Sequence, residues 1–263
     1  VYTLHTMYDD YVFYLFPKRM SQMAKPAAHA YIRKVASKAS EIIGPSVKVA
    51  NYLHKCGVKR HVNIVPNTVD LTAFDEDKVD KDAIAETRKR LHIAPEDTAL
   101  CFVGRLGNEK SIDVLMDYFA ESYKGNERFK LFIIGDGPEK APLQEQAARL
   151  GVEGQVKLLG RIEHGELPVY YRAFDLFATA SLTEMNSISL LEATASGLYA
   201  VQRLDIYNRD QIKSGQNGEV FNAPDEFKAI VDEYAALDLD ARAKRKKSVG
   251  EYARRYGTKE LTE

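Results

Sequence analysis

From Thr98 onward the chain alternates between short, uninterrupted apolar runs and longer segments whose apolar residues recur every three or four positions. The runs are 98–104 (TALCFVG), 129–135 (FKLFIIG), 156–160 (VKLLG), 176–180 (LFATA) and 198–202 (LYAVQ). The segments 111–123, 139–150, 166–172 and 187–196 between them predict helices. A strand that is apolar at every position has both faces covered, and strands joined through helices run parallel. The pattern therefore predicts an α/β fold built on a complete parallel sheet coated on both sides.

Ahead of this region the pattern is less regular. Residues 1–4, 41–46 and the run starting VNIV read as strands, with a Pro-Asn turn closing the last. Residues 9–16, 26–40 and 47–56 read as helices, with Pro17 and Pro26 as breaks and Ser46 as an N-cap. Residues 74–90 are acidic and charged, which fits a linker or a lead-in helix.

In open parallel sheets ligands bind beyond the carboxyl ends of the strands, so the residues that follow each run carry the functional reading. After the first stands GRLGNEK, where Gly104 permits a tight turn and Arg105 and Lys110 flank a helix start. After the second stands GDGPE, with Gly135 and Gly137 around Asp136 and Pro138 at a helix start. After the fourth stands TEMNSISLLEA, with Glu184 in a polar loop and Glu192 eight residues on inside an apolar segment. A forked guanidinium, a point charge and the free amides of a helix N-terminus suit a diphosphate. Carboxylates beside them suit hydroxyls.

The 45% apolar and 10% aromatic content is that of a globular protein, and no apolar run approaches the ~18 residues of a membrane span. Cys56 and Cys101 have neither metal-ligand spacing nor an arguable disulfide framework, which fits a reducing, cytoplasmic compartment. Charge is uneven. Residues 11–70 hold ten Lys and Arg against Glu41 and Asp70, a net +8, while the whole chain carries −1. Such asymmetry points to an anionic partner for that segment, or to a solvated basic face.

Landmarks in chain order carry a family resemblance: IVPNTVDLTAF (64–74), VGRLGNEKSIDVL (103–115), LFIIGDGPEKAPL (131–143), VKLLGRIEHGELPVYY (156–171), AFDLFATASLTEMNSISLLEATASGLYAV (173–201) and SGQNGEVF (214–221), with VGEYARRYG in the closing helix. The chain resembles the retaining glycosyltransferases of family 4, which have the two-domain GT-B fold, and Glu184 and Glu192 match that family's E-x7-E pair. The resemblance implies one complete Rossmann-like domain, residues 73–240, the latter part of a second that carries the acceptor and membrane-binding side, residues 1–72, and a C-terminal helix, 241–263, returning toward the N-terminal domain.

It also implies roles. Arg105 and Lys110, at the Gly104 turn, would hold the donor diphosphate. Gly135 and Gly137, around Asp136, would belong to the donor site, Arg161 and Ile162 would border the base, and Glu192 would bind ribose hydroxyls. Glu184 would bind hydroxyls of the transferred sugar, with the amides of Met185, Asn186, Ser187 and Ile188 near sugar and phosphate. His5 would reach the site from the opposite domain, its alternative being a strand-end histidine bonded to backbone. No covalent nucleophile, metal ion or cofactor is implied; the UDP-sugar is a substrate. The family has glycine where Ser187 stands, which bears on the shape of the sugar pocket.

HTMYDDYVFYL looks like the opening of the cleft helix in bacterial enzymes that glucosylate diacylglycerol or its glycolipids on the inner membrane face. The expected partners are a UDP-sugar, a lipid acceptor and an anionic membrane surface met peripherally, and no nucleic acid. Lys18, Arg19, Arg33, Lys34 and Lys38 are the candidates for lipid contact, and most of Tyr8, Tyr11, Phe13, Tyr14 and Phe16 read as core. The alternatives are a protein, wall-polymer or small-molecule acceptor, or a nucleotide-sugar-binding subunit without turnover. A nicotinamide dehydrogenase would need G-x-G-x-x-G after the first strand, which is absent.

Overall fold

The structure, a computed structural model, describes residues 1–10, 18–67, 69–205 and 211–255, the side chains of 10, 18–22 and 255 excepted. Its contacts separate into two units: residues 1–67, 183–187 and 205–211, and residues 68–182, 188–204 and 212–263.

The second unit is organised by a six-stranded parallel sheet. Its strands are β4 (Thr98–Val103), β5 (Phe129–Ile134), β6 (Val156–Gly160), β7 (Leu176–Thr179), β8 (Tyr199–Arg203) and β9 (Gly218–Phe221), in the spatial order β6-β5-β4-β7-β8-β9. Every residue of β4 is buried. Leu100 and Phe102 enter one core cluster, and Ala99, Cys101 and Val103 enter another on the opposite face. This is the period-2 alternation of a strand buried on both sides, and it is why the sequence shows an unbroken apolar run. Helix α4 (Ile112–Tyr123) buries Ile112, Leu115, Met116, Phe119, Ala120 and Tyr123, a stripe at helical spacing, against the first of these faces. Helices α5 (Lys140–Leu150) and α8 (Pro224–Ala235) share that face. Helices α6 (Leu167–Ala173) and α7 (Ile188–Ala195) supply Leu167, Tyr171, Leu190 and Ala193 to the other. The charged 74–90 segment resolves into two 3-10 turns and helix α3 (Lys81–Arg90), N-capped by Asp80.

The amino-terminal edge of this sheet is closed by a buried carboxylate. Asp175, at the start of β7, accepts the Ala99 amide at 3.0 Å. It also lies 3.2 Å from Lys246 and 3.6 Å from Arg88. Lys246 belongs to helix α9 (Leu239–Arg255), which packs on α7 and β8. One side chain thus links a strand pair, α3 and α9.

The first unit has a three-stranded parallel sheet, β1 (Tyr2–Thr3), β2 (Ile42–Gly44) and β3 (Asn63–Ile64), with helices α1 (Lys18–Lys38) and α2 (Val47–Lys55). Its core holds Leu4, Ile32, Ala36, Ile42, Val49, Leu53 and Met185. The Asp9 carboxylate accepts from Tyr52 at 3.0 Å and lies 2.7 Å from His29. Burial raises the Asp9 pKa, but those two hydrogen bonds and the nearby charges outweigh it and hold the carboxyl below its usual range.

Three sequence expectations need correction. Helix α1 runs through Pro26 rather than starting there. The ring is exposed, so the carbonyl four residues back has water in place of its lost amide, while burial of Ile32 and Ala36 further along favours the helix. Ser46 occupies the N-cap position of α2 with an extended backbone, but its hydroxyl makes no capping bond and is buried without a partner. The basic excess of residues 11–70 is also not a uniform face. Lys48 is buried in an ion pair with Asp205, and Arg60 donates to the carbonyls of Ala36, Ala39 and Ser40 at the end of α1. Arg33 donates to the Cys56 carbonyl at 2.8 Å. Lys34 and Lys38 remain exposed. Tyr8 is half-buried; Tyr11, Phe13, Tyr14 and Phe16, and the side chains of Lys18 and Arg19, lie outside the described residues. No helix among the described residues is long and apolar enough to cross a membrane.

Removing Asp175 leaves two cations and a strand amide without their buried acceptor. Asp175→Ala is expected to cost about 3 kcal/mol, read as a lower urea midpoint by circular dichroism. A loss under about 1 kcal/mol would show that these contacts do not hold the edge together.

Candidate functional site

The strand order places a reversal between β4 and β7: the chain builds outward from β4 to β6, returns, and builds the other way from β7. At such a point the loops leaving the two central strands diverge and a crevice opens beyond their carboxyl ends. The predicted residues of the second unit lie on loops and on one helix that follow these strands.

Two of those loops are packed backbone to backbone. The Gly104 amide donates to Ile134, the Leu106 amide to Asp136, and the Glu139 amide to the Leu106 carbonyl, each at 3.0 Å. Gly135 has φ +141°, and a Cβ there would lie 1.8 Å from the Gly104 carbonyl oxygen. A Cβ at Gly137 would lie 2.3 Å from the Leu106 carbonyl oxygen. Both glycines therefore bring the loop after β5 against the loop after β4. Their geometry has a packing cause, whatever they do toward a ligand.

Arg105 stands half-exposed on this platform, 3.9 Å from Glu109. Glu109, absent from the sequence reading, has a carboxylate only 1% exposed. It lies over Gly107, where a Cβ would come within 2.3 Å of Oε2. Lys110 ends the 3-10 turn Asn108–Lys110 and is partly buried. Arg161, after β6, is 75% exposed and 3.4 Å from Glu163; Ile162 beside it packs partly against the core.

Glu192 sits on α7 with its carboxylate 6% exposed and both oxygens engaged. Oε1 is 2.9 Å from His164 Nε2, and Oε2 accepts from the Tyr171 hydroxyl at 3.3 Å. An ionised carboxylate only accepts, so His164 Nε2 carries the proton. The His164 ring meets the buried Phe74 ring edge-on at 5.8 Å between centroids. Tyr171 is fully buried, and burial together with the Glu192 charge holds its phenol well above the usual range, so it remains a donor. Each carboxylate oxygen has two acceptor positions and spends one on this clamp. One per oxygen is left, side by side, which matches two vicinal hydroxyls. His164 and Tyr171 lie within the quoted run 156–171, but nothing in their spacing indicates the carboxylate 28 and 21 residues away.

The remaining predicted residues, Ile188 apart, belong to the first unit. His5 follows β1 and is exposed, and among the described residues its ring makes no hydrogen bond to the backbone. Glu184 is partly buried, and Met185 is in the core of that unit. Asn186 receives the Asn67 side-chain amide on its carbonyl at 2.9 Å, while its own Oδ1 is buried without a donor. The Gln211 side chain closes a ring on Ser187, accepting from its amide at 2.7 Å and donating to its carbonyl at 3.1 Å. Ser187 does not have a left-handed backbone, so serine is conformationally admissible where the resembled family has glycine. Its amide is already committed to Gln211, whereas Ile188, which opens α7, is 45% exposed. Among the described residues no three His, Cys, Asp or Glu side chains gather as a metal site requires.

Residues 83–256 match the family model described as glycosyl transferases group 1, and residues 1–73 match that of glycosyltransferase family 4. Two similar curated proteins are alpha-monoglucosyldiacylglycerol synthases. That of Streptococcus pneumoniae is 29% identical over 222 residues, 84% of this chain and 50% of its own length. That of Acholeplasma laidlawii is 29% identical over 231 residues, 86% of this chain and 58% of its own. The chain thus spans little more than half the length of these relatives. A solved structure of Anabaena Alr3699/HepE in complex with UDP-glucose superimposes with TM-score 0.78 at 21% identity, covering 97% of this chain and 67% of that one. The pneumococcal O-GlcNAc transferase GtfA in complex with UDP and GlcNAc does so with TM-score 0.63 at 25% identity, covering 88% and 45%. The fold is therefore the α/β GT-B type, as expected.

The platform of the two glycine-bearing loops makes its own prediction. Gly135→Ala has neither the backbone region nor the space it needs, and is expected to lower stability by about 2 kcal/mol in urea denaturation. An unchanged midpoint would mean that the loops after β4 and β5 do not depend on their close approach.

Proposed function

The chain belongs to the group 1 glycosyl transferases, and from that premise we propose that it serves a retaining transferase moving a hexose, glucose by preference, from a UDP-sugar to a membrane lipid such as diacylglycerol or a glycosyl-diacylglycerol. The observation that carries the donor half is the Glu192 clamp. A buried carboxylate held on both oxygens by His164 and Tyr171 offers its remaining acceptor positions to a cis-diol, the feature that a ribose presents. Arg105 and Lys110, at the carboxyl end of β4, would take the diphosphate and offset the charge that grows on it as the glycosidic bond breaks. Glu184 would hold hydroxyls of the sugar. The chemistry then rests on positioning and on electrostatic stabilisation of the leaving diphosphate, which accepts the acceptor's proton as the new bond forms on the same face of the sugar.

The acceptor half of the reading is supported by the likeness to the two alpha-monoglucosyldiacylglycerol synthases. Exposed Lys34 and Lys38 on α1 suit a peripheral meeting with anionic lipid on the inner face of the cell membrane. A protein acceptor is the second reading, favoured by the likeness to GtfA. Product analysis of the full-length protein with radiolabelled UDP-sugars, against diacylglycerol in mixed micelles and against a protein extract, separates the two. Label in an α-linked glycolipid supports the first, and label only in protein sinks it.

The division of labour between the carboxylates has its own test by calorimetry. Glu192→Ala is expected to weaken UDP itself by about tenfold or more, the loss of hydrogen bonds to two hydroxyls. Glu184→Ala should leave UDP within about twofold while impairing use of the UDP-sugar. Equal damage to bare UDP by both changes would refute the assignment.

A further inference from the structure

The amino-terminal edge of the six-stranded sheet, away from the carboxyl-end loops, carries a groove of about 380 Å³ whose chemistry the transferase reading does not use. It lies wholly within the second unit, between α9, the end of α7 and the end of α6. Arg172, Lys244, Lys246, Lys247 and Arg254 line it together with Glu76, and Asp75 and Asp175 pair with two of those cations.

Those cations differ in what they already do. Lys246 is engaged, bonded to Asp175 and to the Phe174 carbonyl. Arg172 gives one nitrogen to the Phe74 carbonyl at 2.7 Å, while its Nε–H is buried without an acceptor. Arg254 has one contact with Asp75 at 3.5 Å. Lys244 and Lys247 are exposed and form no ion pair among the described residues. Three residues apart on one helix, they repel each other, while Asp240 and Glu251 stand four residues from Lys244 and Lys247 without closing an ion pair among the described residues.

A structural explanation for a basic cluster here would be capping of α7, whose carboxyl end points this way. That need is already met. The amides of Ser196, Gly197 and Leu198 bond the carbonyls of Glu192, Thr194 and Ala193, with Gly197 at φ +89°. The groove walls are also stripped of bulk. Gly197 and Gly250 bring α9 against α7, a Cβ at Gly197 lying 2.6 Å from the Lys246 carbonyl oxygen. Ala195 and Ala243 complete the small-residue lining. Space and two exposed lysines that form no ion pair among the described residues coincide.

We propose that this groove binds a phosphate-bearing anion, with Lys244, Lys247 and Arg254 as its charge. A diphosphate or a phosphodiester headgroup presents the several oxygens that such a set addresses. The site is independent of the donor crevice, so the inference does not rest on the identity of the sugar nucleotide.

The test uses the full chain and Lys244→Ala/Lys247→Ala, two exposed changes that leave the folded core alone, with UDP present to block the donor crevice. In amide-resolved NMR, pyrophosphate is expected to shift Gly197 and Gly250 saturably, with affinity at least tenfold weaker in the double variant. That outcome assigns the site to a soluble phosphate. If pyrophosphate shifts neither amide, flotation on phosphatidylglycerol against phosphatidylcholine vesicles decides. Capture by the anionic vesicles that falls at least fivefold in the double variant assigns it to a lipid headgroup. Pyrophosphate and vesicle binding both within twofold of the unchanged chain would overturn the proposal.

Discussion

A parallel sheet whose chain builds outward in one direction and then in the other must leave a seam between its first and fourth strands. No crossover helix closes the space above that seam, because the connections leaving β4 and β7 diverge. The geometry of the second unit follows from this. The loops after β4 and β5 pack tightly on one side, and α7 begins on the other. The side chains that bear chemistry hang on elements whose positions the seam dictates. A fold of this kind supplies a cleft first and leaves the residues at its lip to decide what enters.

The two ends of the sheet solve opposite electrostatic problems. At the amino-terminal edge Asp175 and Asp97 are buried carboxylates, each met by a lysine and by backbone amides. Their charge is satisfied internally, and these two side chains act as structural joints. At the carboxyl-end rim Glu192 is equally buried, but a neutral phenol and an imidazole hold it instead of a dedicated cation. Similar burial is therefore balanced by cations at one edge and by a phenol and an imidazole at the other.

The sheet was legible because its central strands are buried on both faces and so advertise themselves as unbroken apolar runs. β9 was not, because only Gly218 and Phe221 of its four residues are buried. The break assumed at Pro26 failed because a local penalty on an exposed surface was weaker than burial of Ile32 and Ala36. Ser46 had the right residue type for a cap, yet its hydroxyl is turned to no partner, a rotameric fact that no residue type encodes. The candidate site was readable where loops follow strands in order. It was unreadable where it depends on pairs distant in sequence, such as His164 with Glu192 or Gln211 with Ser187. The basic excess near the start is less of a surface feature than its count implies, for the same reason. Lys48 finds Asp205, 157 positions away, and leaves the surface.

That last pair belongs to a wider arrangement. The first unit is assembled from residues 1–67, 183–187 and 205–211, and its core takes in Met185. During synthesis from the amino terminus, therefore, its opening sixty-odd residues must wait through most of the second unit's translation before their last pieces emerge. Lys48 spends that interval without Asp205 and keeps its hydration until the pair can be buried together. The second unit waits in turn for β9, α8 and α9, all of which follow residue 211, so the chain crosses between the two units before either is complete.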